Sequence, residues 1–291
     1  MFQKLVKATP HFIVKYFGVL FAPCFINYPK VTDTFFIRRH KMILNGKTAI
    51  VTGGSSGLGE AVARRLVKQG VQVVITDVSD EQGESIALEI GADYCHCNVS
   101  NETDVQFAIQ STIDSYKTLD IVVNVAGVNI PKKLVGKNGV YPLNEWMRVV
   151  QINLVGTFNF MRLGAEAMLK HEPYEDGERG VFVNTSSIAS FHGEPGQTAY
   201  SASKAGINGM MLPAAREFQK QAIRFMAIAP GLFHTAIYDK MDPAFLAGLL
   251  NQTIYPKRLG IPDEFAHAVQ MVIENPMFNG DTIRLDGGIR F

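Results

Sequence analysis

Cysteine is scarce here: Cys24, Cys95 and Cys97 are the only three in 291 residues. So few thiols, odd in number, exclude a disulfide-stapled fold and fit a reducing compartment. Cys95-His96-Cys97 has the residue types of a metal site, but side chains alternate along a strand. His96 would then point away from both sulfurs, and no metal is expected. An excess of either charge is also missing: 28 Lys and Arg against 27 Asp and Glu leave a formal net charge of +1. That balance speaks against a nucleic-acid partner. The apolar run at residues 16–22 is far shorter than the roughly 20 residues a membrane helix needs, so no membrane is expected either.

What is present divides unevenly. The first 45 residues carry seven basic side chains and one acidic, Asp33, and are broken by Pro10, Pro23 and Pro29. Residues 1–44 therefore read as an extension ahead of a domain at 45–291. A basic, acid-poor leader suits a mitochondrial presequence, which would place the protein in the matrix, but this one lacks Ser and Arg richness. Two arginine codons at Arg38-Arg39 can spell a bacterial ribosome-binding sequence. On that ground we expect Met42 to be a bacterial start and the protein to be cytoplasmic.

From Lys47 onward, short apolar runs alternate with helical stretches. Strands are expected at 48–52, 72–77, 93–97, 120–124, 180–185, 223–229 and 282–285. Helices are expected at 57–69, 81–89, 102–116, 144–170 (one long helix), 199–220 and 262–274. The strands are continuously apolar, as in a parallel sheet buried on both faces. The fold class is α/β: one doubly wound Rossmann-type domain with a seven-stranded parallel sheet and helices on both faces. Residues 128–143 read as a loop and 171–179 as a polar turn. Residues 233–258, holding the apolar stretch 245–250, read as a substrate lid past a strand's C-terminal end.

The first strand runs into Thr52-Gly53-Gly54-Ser55-Ser56-Gly57-Leu58-Gly59 and then a helix. Gly53 permits a tight turn, Gly57 lets backbone approach a pyrophosphate, and Gly59 allows close helix packing. The helix N-terminus offers free N–H groups to phosphates. Gly53, Ser55, Ser56, Gly57, Leu58 and Gly59 are the candidate contacts. Asp77 ends the second strand, 18 residues after Gly59. A carboxylate there accepts hydrogen bonds from ribose hydroxyls and repels a 2′-phosphate, which favours NAD over NADP.

Tyr200 and Lys204 share one helix face at i, i+4, with Ser187 thirteen residues before Tyr200 and Asn153 in the long helix. Oxidising an alcohol needs a base for its proton while hydride leaves carbon. Lys204 and an oxidised nicotinamide would both pull the Tyr200 phenol below its ordinary value of about 10. Ser187 would hydrogen-bond the substrate oxygen. Asn153 would hold a water linking Lys204 to solvent.

The glycine spacing and the Asn153, Ser187, Tyr200 and Lys204 set resemble the short-chain dehydrogenase/reductase family over about residues 45–291. The resemblance implies further cofactor contacts. Asn98-Val99 matches the position of an Asp-Val pair near adenine. Asn124-Val125-Ala126-Gly127 looks like the family's Asn-Asn-Ala-Gly turn, with Asn124, Ala126 and Gly127 beside the ribose. Pro230-Gly231-Leu232-Phe233 with Thr235 resembles the segment holding the nicotinamide carboxamide, and Tyr200 and Lys204 would reach its ribose. Gly156-Thr157-Phe158-Asn159, Arg258-Leu259-Gly260 and Ile283-Arg284-Leu285-Asp286-Gly287 look like the type-2 3-hydroxyacyl-CoA dehydrogenase branch. That branch implies an acyl-CoA thioester substrate, with Lys132, Lys133 and Lys137 near its phosphates. It also implies a homotetramer with residues 286–291 near an interface. Glu194, beside the expected substrate mouth, departs from the branch's glutamine. The other readings left open are a 3-oxoacyl-carrier-protein reductase, another secondary-alcohol or steroid dehydrogenase, and a non-catalytic scaffold in an RNA-processing complex.

Overall fold

The central strands of the main sheet are short, apolar and rich in β-branched residues. β1 (Thr48–Thr52) reads TAIVT and is buried throughout. It lies between β2 (Gln72–Asp77) and β4 (Ile121–Asn124), all parallel. β3 (Asp93–His96) pairs outside β2. With β7 (Gly180–Thr185), β8 (Ile223–Pro230) and β9 (Thr282–Leu285) the order is β3-β2-β1-β4-β7-β8-β9. This is the computed structural model of the chain, and it describes residues 42–175, 177–235 and 242–290, with Pro243 and Phe245 as backbone only. The leader 1–41, the lid segment 236–241 and the last residue of the tail lie outside the described residues.

Alternation splits the core into two layers. Ala49 and Val51 face a cluster with Leu66 of α1 (Gly57–Lys68) and Phe265 and Val269 of α8 (Pro262–Glu274). Ile50 faces the other side, with Val105 of α3 (Glu102–Tyr116), Phe160 of α5 (Gly156–Met168) and Ile207 of α6 (Thr198–Glu217). The sheet is therefore covered on both faces, as the unbroken apolar runs required. α2 (Asp80–Ile90) joins β2 to β3. Chain direction reverses its march across the sheet between β1 and β4, which opens a crevice at their C-terminal ends.

Three expectations are corrected. The helix expected at 144–170 is not continuous: α4 (Leu143–Val150) passes through a π-helical turn, Gln151–Val155, before α5. The extra residue in that turn re-aims Asn153, which is completely buried. The 128–143 loop contains a short hairpin, β5 (Val135–Gly136) with β6 (Gly139–Val140). Met42 and Leu44, read with the extension at 1–44, are 1% and 5% exposed and belong to the same core cluster as Leu66 and Val71. Cys95 and Cys97 do point inward while His96 is exposed and bonds Asp80 at 2.7 Å. Among the described residues no helix is long and apolar enough to cross a membrane.

The turn 171–179 is polar as expected, and Glu172, Pro173, Glu175 and Gly177 are exposed. Its Glu178 is buried against Arg224 of β8. The Arg224 guanidinium also donates to the carbonyls of Val272, Ile273 and Phe278, satisfying the C-terminal end of α8. Removing one partner of a buried pair strands the other's charge. Arg224→Leu should therefore destabilise the fold by about 3–5 kcal/mol. Urea unfolding tests this, and a loss under about 1 kcal/mol would show that the pair is dispensable.

Candidate active site

The glycine turn sits at the mouth of the crevice. Gly53 and Gly57 have φ of +64° and +57°, the left-handed region that favours glycine. A Cβ at Gly59 would lie 2.1 Å from the Gly53 carbonyl oxygen, so the helix start can approach the turn only as glycine. Ahead of Gly57 the nearest atom such a carbon would meet is Thr235 Cγ2 at 3.7 Å. Ser56 precedes α1 without capping it by its side chain. The first N–H groups of this twelve-residue helix therefore lack a side-chain cap from Ser56. Backbone donors at a helix start, a glycine cradle and the Asp77 carboxylate at the end of β2 fit a dinucleotide's phosphates and ribose.

The rest of the cradle is braced from below. Thr52 Oγ1 accepts hydrogen bonds from the backbone N–H groups of Val125 and Ala126 at 3.0 and 3.1 Å. Thr52 was legible only as the start of the motif; nothing in spacing assigned it this role. Several candidates turn their side chains away from the crevice. Leu58 packs on the core. Asn124 is buried and donates to Asn184 Oδ1 at 2.8 Å, because in-register neighbours on β4 and β7 face each other. Val99 is buried, and its carbonyl accepts from Asn159 Nδ2. Asn98 Oδ1 accepts from the N–H and hydroxyl of Ser100, closing an Asx turn, so the bond proposed to adenine would have to compete with both. Phe233 packs edge-on against Phe265 at 6.2 Å, inside the core rather than at the start of a lid. Its segment is pinned by Gly260, whose N–H bonds Leu232 O and whose carbonyl accepts from His234 N–H. Leu58, Asn124, Val99 and Phe233 can offer a cofactor backbone, not side chains. Pro230 is buried at the end of β8, and Gly231 and Thr235 lie partly open beyond it.

Past β7, Asn153 and Lys204 close on Gly127: a Cβ there would lie 3.2 Å from Asn153 Oδ1 and 3.5 Å from Lys204 Nζ. Lys204 is 3% exposed and donates to Thr185 O at 2.7 Å. Its Nζ is 5.8 Å from the Tyr200 ring centre. Ser187 Oγ accepts from Ala189 N–H at 3.1 Å and bonds the Tyr200 phenol. Both ends of the Asn153 amide are engaged: Oδ1 accepts from Val128 N–H at 2.8 Å, and Nδ2 donates to Val128 O and Ser203 Oγ. The side chain thus braces the turn after Gly127. Ser203, which donates onward to Tyr200 O, escaped sequence reasoning because a small polar residue inside a helix carries no signal.

Burial dominates the electrostatics. It pushes the Tyr200 phenol above its ordinary value, and the Ser187 bond pulls it only partly back. The lowered phenol expected from Lys204 does not follow from the protein's own groups, because Lys204 Nζ stands off the ring and bonds the main chain. Burial likewise lowers the Lys204 ammonium to about 8. A lysine depressed in the folded state binds fewer protons there than when unfolded at about 10.4, so stability rises as pH climbs between those values. Between pH 7.5 and 9.5 the wild type should gain about 2 kcal/mol relative to Lys204→Met. Paired urea titrations at the two pH values test this; a constant difference would mean that Lys204 titrates normally.

A Gly-rich strand-to-helix turn, a carboxylate ending the second strand and a buried Ser-Tyr-Lys group at the switch point define a nucleotide-dependent dehydrogenase. The family described as short chain dehydrogenase matches residues 47–244, and the chain belongs to it. It is an oxidoreductase that works with a nicotinamide cofactor. The chain is 45% identical over 251 residues to the 3-hydroxyacyl-CoA dehydrogenase type-2 of Rattus norvegicus, covering 85% of this chain and 96% of that one. It is 44% identical over 252 residues to the enzyme of the same name from Drosophila melanogaster, covering 85% and 99%. The crystal structure of 3-hydroxyacyl-CoA dehydrogenase type-2 from Mycobacterium avium superposes with a TM-score of 0.81 at 40% identity, covering 84% and 96%.

Proposed function

We propose that the chain oxidises (S)-3-hydroxyacyl-CoA thioesters to 3-ketoacyl-CoA with NAD, reversibly, as a cytoplasmic homotetramer. The observation that carries the substrate is the identity of 44–45% to type-2 3-hydroxyacyl-CoA dehydrogenases over nearly their whole length. Asp77 carries the choice of NAD. Its carboxylate would repel a 2′-phosphate, and no Lys or Arg lies within Gly53–Gly59 to offset that. The same feature counts against an NADP-linked 3-oxoacyl-carrier-protein reductase. Phe107 on α3 and Phe158 on α5, both exposed, support further subunits, and the free thiols of Cys95 and Cys97 support a reducing compartment.

Held by the Gly53–Gly59 turn and Asp77, a nicotinamide cofactor would supply the hydride chemistry. The chain's own residues handle the proton and the oxygen. Tyr200 Oη takes the hydroxyl proton, and its phenolate is stabilised by the Lys204 ammonium. Ser187 Oγ donates to the substrate oxygen. Asn153 keeps Gly127 and Val128 in place. Leu246, Leu249 and Leu250 on α7 (Pro243–Asn251) are half-buried and suit an acyl chain. Lys132 bonds Glu145 at 2.6 Å, so Lys133 and Lys137 are the better candidates for CoA phosphates.

Steady-state kinetics decide the reading. Acetoacetyl-CoA with NADH should give a kcat/KM at least about tenfold above that of a simple keto ester or a steroid ketone, and NADPH should be the poorer donor. A thioester slower than the ester sinks the substrate, and an NADPH preference sinks the cofactor assignment; neither touches the family.

A further inference from the structure

The Asp77 carboxylate is held more tightly than cofactor selection alone demands. Its Oδ1 accepts from the N–H groups of Val78 and Ser79 at 2.7 and 3.3 Å. Its Oδ2 accepts from Ser55 twice, from the N–H at 3.2 Å and from the hydroxyl at 2.5 Å. A carboxylate has about four acceptor positions, so the protein's own donors engage all of them. Ribose hydroxyls arriving at Asp77 must share or replace a donor. The backbone bonds at 3.2 and 3.3 Å are the longest, whereas the Ser55 hydroxyl makes the shortest.

Ser55 is well placed to act as a fixed strut. It is 3% exposed. Its turn is stitched to β2 beside it, with the Gly53 and Gly54 N–H groups bonding Thr76 O at 2.8 and 3.4 Å. Behind the carboxylate, the Tyr94 hydroxyl donates to Asp77 O and to Asp80, tying down the main chain. Among the described residues the one side-chain donor on the carboxylate is therefore Ser55 Oγ, which can be removed without touching the backbone.

We infer that the Ser55 hydroxyl is a specificity-determining positioning group. By holding the Asp77 carboxylate in one orientation, it sets how strongly the protein prefers a dinucleotide with a free ribose 2′-hydroxyl over a 2′-phosphorylated one. The inference rests on the reading that Asp77 selects NAD. Without the hydroxyl, the carboxylate swings on its remaining backbone bonds. It then accepts less well from the ribose diol and repels a 2′-phosphate less directly.

Equilibrium titration of NADH and NADPH fluorescence tests this with no turnover. Hydrogen bonds to charged groups are strong enough that Ser55→Ala should contract the ratio of the two dissociation constants about tenfold. In an Asp77→Asn background the same change should move the ratio less than about twofold, because the charge through which Ser55 acts is gone. A merely structural role would weaken both nucleotides equally in either background. Should Ser55→Ala fold poorly, Ser55→Cys keeps the volume with only a weak donor and should contract the ratio in the same direction. A ratio unmoved in the wild-type background, or moved equally in both, overturns the proposal while leaving Asp77's role intact. A wild type that binds NADPH more tightly overturns the NAD assignment and this inference together.

Discussion

Tyr200→Phe should lose about 100- to 10,000-fold in kcat, the span that a positioned acid or base contributes, while still binding NADH. The substitution removes one oxygen and keeps the ring, so α6 and the pocket wall stay in place. What disappears is the only phenol bonded to Ser187 beside the Lys204 ammonium. The raised phenol sharpens the expectation. With burial opposing ionisation, Tyr200 can serve as a base only when Lys204 and the positive nicotinamide are both close, which ties proton removal to an assembled site. Single-turnover oxidation and an NADH titration on the variant separate the two effects. Turnover within tenfold of wild type would place the base elsewhere, and lost NADH binding would mean that the ring, not the hydroxyl, matters.

A second large effect is expected at Gly59. In Gly59→Ala the new methyl would stand 2.1 Å from the Gly53 carbonyl oxygen and 3.0 Å from Gly54 Cα. These are backbone atoms, so no side chain can swing aside, and the turn must move by about 1 Å. A misplacement of that size costs on the order of a hundredfold where geometry is critical. NADH affinity should fall by that factor, with a loss of about 2 kcal/mol in stability from overpacking. Gly209→Ala is the matched control: on α6 a Cβ there meets nothing within 4 Å, and replacing a helical glycine should be neutral or stabilise by up to about 1 kcal/mol. Calorimetric binding and thermal unfolding of the pair would show it. Equal behaviour of the two variants would mean that the turn is looser than its contacts imply.

The repeating unit was legible because it is local. β1, β2, β7 and β9 fall on the expected boundaries, β1 and β7 because they are buried at every position in a parallel sheet covered on both faces. The catalytic group was legible for a similar reason: a tyrosine and a lysine one helical turn apart share a face wherever the helix lies. The break in the long helix was not. Residues 151–155 are ordinary helix formers, and only the pairing of Asn153 with Val128, across 25 residues of chain, gives the π-turn a purpose.

The class of fold was carried by the sequence through apolar periodicity, and the family through the resemblance of its glycine and Ser-Tyr-Lys motifs, because both are properties of local stretches of chain. Tertiary structure decided which of the motif residues face the crevice. Asn124, Val99 and Phe233 occupy motif positions yet spend their side chains on the core, since each sits where a strand or turn meets a packed neighbour. It also decided that Glu178 and Arg224, 46 residues apart, form one buried pair at the end of α8, and that Tyr200 and Lys204 carry shifted proton affinities. Desolvation depends on what surrounds a group from every side, and no local stretch of sequence contains that information.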